Sequence, residues 1–327
     1  MPRNGDMGDH YQEGSGTSDN SFRAIYEDRA SGSAPVSDHY PGDNSAQGTG
    51  WSETDYGAEL LKSIFPATDK PITGKVGDMQ YDVHQHPDGH TVLVTPGTEK
   101  LGQYSHEQGD HRLNDDRYTY ENTCGIVCCE EHARRFTDPE MRNPDLNEHN
   151  MLSFALDQGF CSLKEGDEGS PDLKEHMPSI LRAYGVHAEF KENGSLSQIA
   201  QIVEEGREDG PTSGKGVIAG VNAGALWQHD EGMTEEDIRA CTGDGYVNHT
   251  VSVIGIEWNP LIESYPELKA DPTMIEAVRV NDPGSGDRNR RYTREQFEEA
   301  FLGKGNPNLH LNGTFLVTEP VKRDLAS

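Results

Sequence analysis

One short stretch decides our prediction of the fold: Tyr120-Glu121-Asn122-Thr123-Cys124-Gly125-Ile126-Val127-Cys128-Cys129. Polar, turn-forming residues end at Cys124, and residues compatible with a helix continue from there to Phe136. This pattern predicts that Cys124 lies at or near a helix N-terminus, where backbone N–H groups and the helix dipole stabilise negative charge. A cysteine at such a place loses its proton more readily and becomes a nucleophile. A small, buried and unreactive cysteine is the alternative interpretation of the stretch taken alone.

The composition of the chain excludes several classes of function. Among 327 residues there are 28 Lys and Arg against 57 Asp and Glu, which gives a net charge of -29. Such a charge repels nucleic acid and anionic membrane surfaces, so we expect neither as a partner. No run approaches the roughly 18 apolar residues that a membrane-spanning helix needs. Apolar residues make up 32% of the chain, which is low and predicts that part of it is unstructured.

The cysteine content argues against both a disulfide framework and a zinc site. The chain has five cysteines: Cys124, Cys128, Cys129, Cys161 and Cys241. Their odd number and their spacing favour a reducing compartment. No second close pair of Cys or His completes a four-ligand zinc set, and we expect no metal or organic cofactor. Residues 1–16 are polar and acidic, unlike a signal peptide. We therefore expect a cytoplasmic protein, or one exported by a route that needs no such peptide.

We divide the chain into four parts. Residues 1–52 are rich in Gly, Ser, Asp, Asn and Pro and are predicted to be a disordered acidic extension. Residues 53–110 are predicted to hold a short amphipathic helix, with its apolar residues between Tyr56 and Phe65, and a β-hairpin docked on the main domain. Residues 111–321 form that domain, and residues 322–327 form a tail.

The tip of the predicted hairpin contains a histidine-rich tract, His84-Gln85-His86-Pro87-Asp88-Gly89-His90. It resembles the metal-binding tract of metallo-β-lactamase-like hydrolases. However, Gly89 interrupts the tract, and side chains alternate along a strand, so the three imidazoles would not converge easily. We therefore interpret the tract as a polar hairpin tip.

In the main domain, helical patterns come first and strand patterns follow. The predicted helices are Cys124–Phe136, Asn147–Gly159, Pro171–Tyr184, Ser195–Val203 and Thr293–Phe301. The predicted strands are Val186–Phe190, Gly216–Val221, His249–Glu257, Ala277–Val280 and Thr314–Thr318. This order predicts an α+β fold with a largely antiparallel sheet.

Two later residues complete a candidate catalytic set. His249 opens an apolar strand, and Asp282 ends the next one, just before Pro283 and Gly284. Neighbouring antiparallel strands can bring such residues side by side. Asp282 would then accept a hydrogen bond from one ring nitrogen of His249, and the other nitrogen would deprotonate Cys124. The alternatives are a structural histidine and an ordinary Asp-Pro-Gly turn.

Taken together, these pieces resemble the papain-like cysteine peptidase superfamily, and within it the bacteriocin-processing peptidases that cut double-glycine leaders. The matching pieces, which fall between about Tyr118 and Glu319, are Asn122-Thr123-Cys124-Gly125, Asn248-His249 with Val251, Val253 and Gly255, and Asn281-Asp282-Pro283-Gly284. The resemblance implies a papain-like α+β fold in which the nucleophile helix precedes an antiparallel sheet. It implies that Cys124 is the nucleophile, His249 the general base and acid, and Asp282 the orienting residue.

Similar domains also occur as the toxic ends of bacterial polymorphic toxins. The resemblance therefore implies a peptide or protein substrate and, for a toxin, an immunity or inhibitor protein as a further partner.

One departure from the family concerns the oxyanion. The family carries a glutamine a few residues before the cysteine, but Arg117–Thr123 contains none, and Gln108 and Gln103 are the nearest upstream. Beside the backbone N–H of Cys124, the candidate side-chain donors are Asn122, Tyr118, Tyr120 and Gln108. Loss of one donor costs about 10² to 10³ in rate.

Three functions therefore stay open. They are hydrolysis of a peptide or isopeptide bond, deamidation or transglutamination by an effector with the same triad, and peptide binding by a weak pseudo-peptidase.

Overall fold

The structure, a computed structural model, describes residues 71–110, 112, 114, 118, 120, 122–164 and 169–321. The predicted disordered extension, the predicted helix between Tyr56 and Phe65 and the predicted tail lie outside the described residues. Within the described residues, α-helices are mixed with antiparallel strands, and the predicted α+β class is confirmed.

The helices and strands of the described ranges are numbered in chain order. The helices are α1 Thr98–Gly102, α2 Cys124–Thr137, α3 Glu148–Asp157, α4 Met177–Ala183, α5 Leu196–Glu204, α6 Ala223–Trp227, α7 Glu235–Thr242, α8 Leu261–Ser264 and α9 Arg294–Leu302. The strands are β1 Lys75–Val76, β2 Met79–Gln80, β3 Asp82–Gln85, β4 Thr91–Val94, β5 Val186–Lys191, β6 Gly216–Val221, β7 His249–Trp258, β8 Ile275–Asp282, β9 Asp287–Thr293 and β10 Phe315–Pro320. Among these helices, none has the length and apolar character needed to cross a membrane.

An eight-stranded antiparallel sheet forms the centre of the molecule, with β7 as its longest described strand. The strand order is β3-β4-β7-β6-β10-β5, while β8 pairs with β7 and β9 pairs with β8. One edge of β7 pairs with β6 near its start and with β4 near its end, and the other edge pairs with β8. The hairpin of β3 and β4 is thus hydrogen-bonded into the main sheet.

Helices cover both faces of this sheet, because the side chains of a strand alternate between its faces. Phe315 packs in a core with apolar residues of α5, α6 and α9, whereas its neighbour Leu316 packs in a second core with residues of α2, α3 and α4. Both side chains are fully buried. The nucleophile candidate therefore lies on a helix of the second layer, at one end of the central strands.

Capping residues fix where several helices begin, as the sequence predicted. Ser195 accepts a hydrogen bond from the backbone of Gln198 at the start of α5. At the start of α9, Thr293 and Gln296 form the reciprocal capping box. These local signals need no tertiary context, because the side chain satisfies a backbone N–H of its own first turn.

The helix predicted from Pro171 to Tyr184 begins later, at Met177, and that prediction is wrong for its first part. Pro178 has no backbone N–H and is tolerated only in the first turn of a helix. The side chain of Asp172 accepts hydrogen bonds from the N–H groups of Lys174 and Glu175, at 2.8 and 2.7 Å. These bonds hold the preceding residues in a turn.

The histidine-rich tract forms the turn between β3 and β4. The N–H of His86 donates to the carbonyl of His90 over 2.7 Å. Each of these imidazoles faces a carboxylate of the sheet, with 3.5 Å from His86 Nε2 to Glu257 and 3.8 Å from His90 Nε2 to Glu276. Within the described ranges, no group of three or more His, Cys, Asp or Glu side chains is arranged to hold a metal ion.

The burial of both sheet faces can be tested at adjacent residues of β10. We expect Phe315→Ala and Leu316→Ala each to lower the free energy of unfolding by about 2–5 kcal/mol, since each leaves a cavity in a different core. Urea denaturation measures this difference. His187→Ala, at an exposed position of β5, is the control and should change it by less than about 0.5 kcal/mol. If only one of the two core variants were destabilised, one face of the sheet would not be buried as described.

Candidate active site

Cys124 is the first residue of α2, and Thr123 is the residue that precedes the helix. The Thr123 hydroxyl makes no capping hydrogen bond to the helix. Its single proton has two acceptors within reach, Glu148 Oε1 at 2.5 Å and the carbonyl oxygen of Tyr120 at 2.9 Å. The first backbone bond of the helix runs from the Val127 N–H to the Thr123 carbonyl, over 3.0 Å. The N–H groups of Cys124 and Gly125 therefore precede the helical ladder, where a negative charge is stabilised.

His249 and Asp282 lie side by side, because β7 begins at His249 and its antiparallel neighbour β8 ends at Asp282. The Nε2–H of His249 donates to Asp282 Oδ1 over 2.8 Å. This leaves Nδ1 for Cys124, which lines the same cleft as His249 and whose thiol pKa is lowered by the charge and hydrogen bonding of His249. The structure thus brings together the three residues that the sequence selected.

The carboxylate of Asp282 is held by four hydrogen-bond donors and is fully buried. On Oδ1, the N–H of Gly284 joins His249 at 3.0 Å. On Oδ2, the indole N–H of Trp227 donates over 2.7 Å and the Tyr292 hydroxyl over 3.0 Å. Burial by itself raises the pKa of Asp282, but the positive charge of His249 and these hydrogen bonds hold that pKa well below its usual range. Asp282 therefore stays ionised at neutral pH.

Trp227 also packs against the imidazole, with 5.1 Å between the ring centroids of Trp227 and His249. Gly284 makes this contact possible, since a Cβ there would lie 2.7 Å from Trp227 Cζ2. Trp227 and Tyr292 were not among the predicted site residues, because neither α6 nor β9 was predicted from the sequence. The apolar run of α6, directly after the buried strand β6, could have indicated a buried helix at Trp227.

The charges of the site favour a thiolate and an imidazolium. Burial raises the pKa of Cys124, but the attraction and the hydrogen bond of His249 outweigh burial and lower that pKa below its ordinary value. Burial lowers the pKa of His249, but the charges and hydrogen bonds of Asp282 and Cys124 outweigh it and raise that pKa. By contrast, burial raises the pKa of the Cys128 thiol, which is fully buried, as expected for a core residue.

A cleft of about 590 Å³ opens beside Cys124 and His249. Pro171 lines it next to Gly125, since a Cβ on Gly125 would lie 3.2 Å from Pro171 Cγ. Phe190 contributes an apolar surface, and Tyr246 and His310 contribute two rings whose centroids are 5.2 Å apart. This volume lies in the range of ligand sites, about 300–1,000 Å³.

Two of the candidate oxyanion donors point to other partners. The Tyr118 hydroxyl lies 3.1 Å from Ser153 Oγ, and the Tyr120 hydroxyl lies 2.6 Å from His149 Nδ1. Both partners belong to α3, so these hydroxyls fasten the segment before α2 to that helix. Asn122, a third candidate, is half-buried two residues before Cys124.

The fourth candidate, Gln108, lies between residues that adjoin the other two parts of the site. Its N–H donates over 2.9 Å to the carbonyl of Pro283, which follows Asp282. The next N–H, of Gly109, donates to the Glu148 carboxylate that also binds Thr123. Gln108 is half-buried, and its Oε1 atom is fully enclosed. The loop therefore returns a glutamine to the neighbourhood of the helix N-terminus.

Comparisons with known proteins add one structural similarity. No protein-family model matches the chain, and no curated protein matches it. Among solved structures, it is similar to a double glycine motif protease from an AMS/PCAT transporter, crystallised in complex with the leader peptide. The similarity covers 60% of this chain and 84% of that chain, with 13% identity and a TM-score of 0.28. An identity and a TM-score this low carry no argument about function.

The charge coupling predicts how fast iodoacetamide alkylates Cys124 at each pH. In the wild type, alkylation should fall only below the ordinary thiol pKa of about 8.5, since His249 lowers the pKa of Cys124. In His249→Ala the attraction and the hydrogen bond of the imidazole are lost, while burial still opposes the thiolate and only the hydrogen bonds of Thr250 and the helix N-terminus still favour it, so the midpoint should move to higher pH. Asp282→Asn should move it in the same direction by less.

Peptide mapping of the labelled Cys124, after a short exposure at each pH, measures these midpoints. Cys161→Ser is the control and should leave the Cys124 profile unchanged. The same midpoint in His249→Ala as in the wild type would show that the two side chains are not coupled.

Proposed function

We propose that the protein is a papain-like cysteine peptidase that hydrolyses a peptide or isopeptide bond through Cys124, His249 and Asp282. One observation carries this proposal: the imidazole of His249 lies between the Asp282 carboxylate, at 2.8 Å, and the thiol of Cys124 at a helix N-terminus. A cleft beside the thiol leaves room for a chain of amino acids. A structural histidine would need neither the thiol nor the cleft.

The reaction begins with the Cys124 thiolate attacking the carbonyl carbon of the scissile bond. A sulfur–carbon bond forms, and the carbonyl oxygen becomes an oxyanion. The His249 imidazolium gives its proton to the amide nitrogen, the carbon–nitrogen bond breaks, and the amine leaves. His249, now neutral, takes a proton from water, which attacks the thioester. The sulfur–carbon bond then breaks and the acid product leaves. Cys124 is again a thiolate and His249 again an imidazolium.

Asp282 supports each of these proton transfers without changing its own protonation. Its hydrogen bond fixes the imidazole with Nε2 toward the carboxylate and Nδ1 toward sulfur and substrate. The negative charge stabilises the imidazolium that exists before attack. Trp227 and Tyr292 hold the opposite carboxylate oxygen, so the carboxylate cannot rotate away from His249.

For the oxyanion, we propose two donors: the backbone N–H of Cys124 and the side chain of Gln108. The first lies at the start of α2, ahead of the helical ladder. The second is supported by the two anchors of the Gln108 segment, at Pro283 and at Glu148. Tyr118 and Tyr120 are weaker candidates, since their hydroxyls bind residues of α3.

Two alternative functions remain. A deamidase would cut a side-chain amide instead of a peptide bond, and a pseudo-peptidase would cut no bond. Deamidation would use the same three residues on a glutamine side chain and release ammonia. A pseudo-peptidase is disfavoured by the lowered pKa of Cys124, because a thiol that only lined a binding cleft would need no coupling to His249. An immunity or inhibitor protein stays a prediction.

Trapping of a thioester tests the proposed function directly. We expect a mixture of unlabelled peptides, quenched in acid after milliseconds to seconds, to leave an acyl group on Cys124, detectable by mass spectrometry of the digested protein. Cys124→Ser should abolish product formation, while Cys161→Ser, at a half-exposed cysteine, should retain it. Cleaved peptides would indicate hydrolysis, and intact peptides with glutamine converted to glutamate would indicate deamidation. Binding without either product would leave the pseudo-peptidase.

The assignment of Gln108 has its own test, which needs no natural substrate. Acylation of Cys124 by p-nitrophenyl acetate passes through an oxyanion, whereas alkylation by iodoacetamide does not. We expect Gln108→Ala to slow acylation by about 10² to 10³, as for other oxyanion donors, with alkylation unchanged. Tyr118→Phe and Tyr120→Phe are matched controls that remove one hydroxyl each. Slow acylation in those two variants, and not in Gln108→Ala, would transfer the role to a tyrosine.

A further inference from the structure

A buried network of ionisable side chains lies beside the site, and the proposed reaction does not use it. Glu148, His106 and Glu130 are 1%, 6% and 2% exposed. Buried charges are costly unless they are paired and hydrogen-bonded. The contacts of this network show what it holds in place.

Glu148 accepts hydrogen bonds from three separate parts of the chain. Its carboxylate binds the backbone N–H of Gly109 at 3.1 Å, the side-chain amide of Asn114 at 2.5 Å and the hydroxyl of Thr123 at 2.5 Å. All three partners are donors, and an ionised carboxylate is an acceptor only. Glu148 itself opens α3. One side chain thus joins α3, the segment around Gly109 and the residue that precedes Cys124.

His106 holds the same segment from its other side. Its Nδ1 lies 2.9 Å from the carbonyl oxygen of Glu107, and its Nε2 lies 2.9 Å from Glu130 Oε2. Both neighbours are acceptors, so both ring nitrogens carry a proton and the ring is an imidazolium. Glu130 belongs to α2 and also accepts from Arg134 Nε at 2.7 Å. The buried cations His106 and Arg134 therefore both bind Glu130, whereas burial outweighs the attraction of His106 and raises the pKa of Glu148 to about 7.

Together these contacts fix two consecutive peptide groups, and the first of them is held at both its carbonyl and its N–H. The carbonyl of Glu107 is bound by His106, the N–H of Gln108 is bound by Pro283, and the N–H of Gly109 is bound by Glu148. The segment is thereby fixed to α2, to α3 and to the turn that follows Asp282.

We propose that Glu148, with His106, is a positioning residue of the active site that holds the Glu107–Gly109 segment, and with it Gln108, against the N-terminus of α2. This inference rests on the proposed function, in which Gln108 donates to the oxyanion. Gln108 lies 124 − 108 = 16 positions before Cys124, so it needs anchors other than the cysteine's own turn. A displacement of about 1 Å can reduce a rate about 10²-fold.

Glu148→Gln tests the proposal. The amide keeps the size of the side chain, but it places an N–H where the carboxylate faced only donors, so one of its three partners loses its acceptor. Glu204→Gln is the matched control. Glu204 is also buried and also accepts from three donors, Tyr81, Trp258 and Lys269, but it belongs to a different cluster on α5.

Two reactions of Cys124 are compared at one pH. In acylation by p-nitrophenyl acetate, the sulfur–carbon bond forms, the ester carbon–oxygen bond breaks and p-nitrophenolate leaves. In alkylation by iodoacetamide, sulfur displaces iodide at a saturated carbon without an oxyanion. We expect Glu148→Gln to slow acylation about tenfold or more and to leave alkylation within about twofold. Glu204→Gln should leave the ratio of the two rates unchanged.

A double variant separates positioning of Gln108 from a general weakening of the fold. In a Gln108→Ala background, Glu148→Gln should have almost no further effect on acylation, because the side chain that it positions is gone. An equal loss in both backgrounds, or an equal slowing of acylation and alkylation, would overturn the proposal. If Glu148→Gln fails to fold, Thr123→Val removes one of the three partners alone and should give a smaller loss in the same direction.

Hydrogen exchange gives a readout that does not depend on activity. The Gly109 amide should exchange faster in Glu148→Gln than in the wild type, and unchanged exchange would overturn the positioning role. If the wild-type Cys124 were not acylated at all, the proposed function would fail. The Gly109 exchange rate would still decide whether Glu148 holds the segment.

Discussion

The hydrogen bond between His249 and Asp282 is the interaction on which the rest of the site depends. The bond sets which imidazole nitrogen faces Cys124. The negative charge of Asp282 stabilises the His249 imidazolium, which in turn lowers the pKa of the Cys124 thiol. That bond requires a carboxylate that stays ionised while fully buried, and four donors supply this condition. The sheet supplies the position, because the start of β7 and the end of its antiparallel neighbour β8 meet at one edge.

The same solution for a buried carboxylate occurs at the other end of β7. Glu204 accepts from the indole of Trp258 and the hydroxyl of Tyr81, as Asp282 accepts from Trp227 and Tyr292. A Trp and a Tyr each present an apolar ring to the core and one donor to the anion. The two carboxylates differ in the cation that each one binds. Lys269 completes the Glu204 cluster with a fixed charge, whereas the imidazole of His249 completes the Asp282 cluster with a charge that can move.

The sequence was sufficient for those parts of the molecule that local signals encode. The caps at Ser195 and Thr293 and the apolar run that became β7 depend on residues near in the chain, and the structure has them where they were predicted. The sequence was insufficient where distant residues decide. Trp227 and Tyr292 matter because they meet Asp282, and no pattern around either residue reports that meeting. Likewise, the three partners of the buried Glu148 carboxylate are Gly109, Asn114 and Thr123, which are distant from it in the chain.

Helix α2, which carries Cys124, shows most clearly that a local sequence pattern does not reveal distant partners. Glu130, Glu131, Arg134 and Arg135 look like a solvated face of α2, yet all four are buried. Burial raises the pKa of Glu131 to about 7, despite hydrogen bonds that include the amide of Asn281. Apolar contacts would bury the helix equally well, but they are not directional and would let it slide or rotate. Glu130 accepts a hydrogen bond from His106, and Glu131 accepts one from Asn281, the residue before Asp282; these directional bonds oppose sliding and rotation of the helix.

A thiolate at a helix N-terminus needs that precision, because a useful Cys124 must meet His249 on one side and an oxyanion donor on the other. In the proposed site, both requirements fall to the same helix. Glu131 reaches Asn281 in β8, which ends at Asp282, and Glu130 reaches the segment that carries Gln108. The buried charges of α2 thus lower the stability of the fold, but their hydrogen bonds fix the position of the helix. Their arrangement links the two halves of the proposed site, the proposed triad and the proposed oxyanion donors, through the helix that carries Cys124.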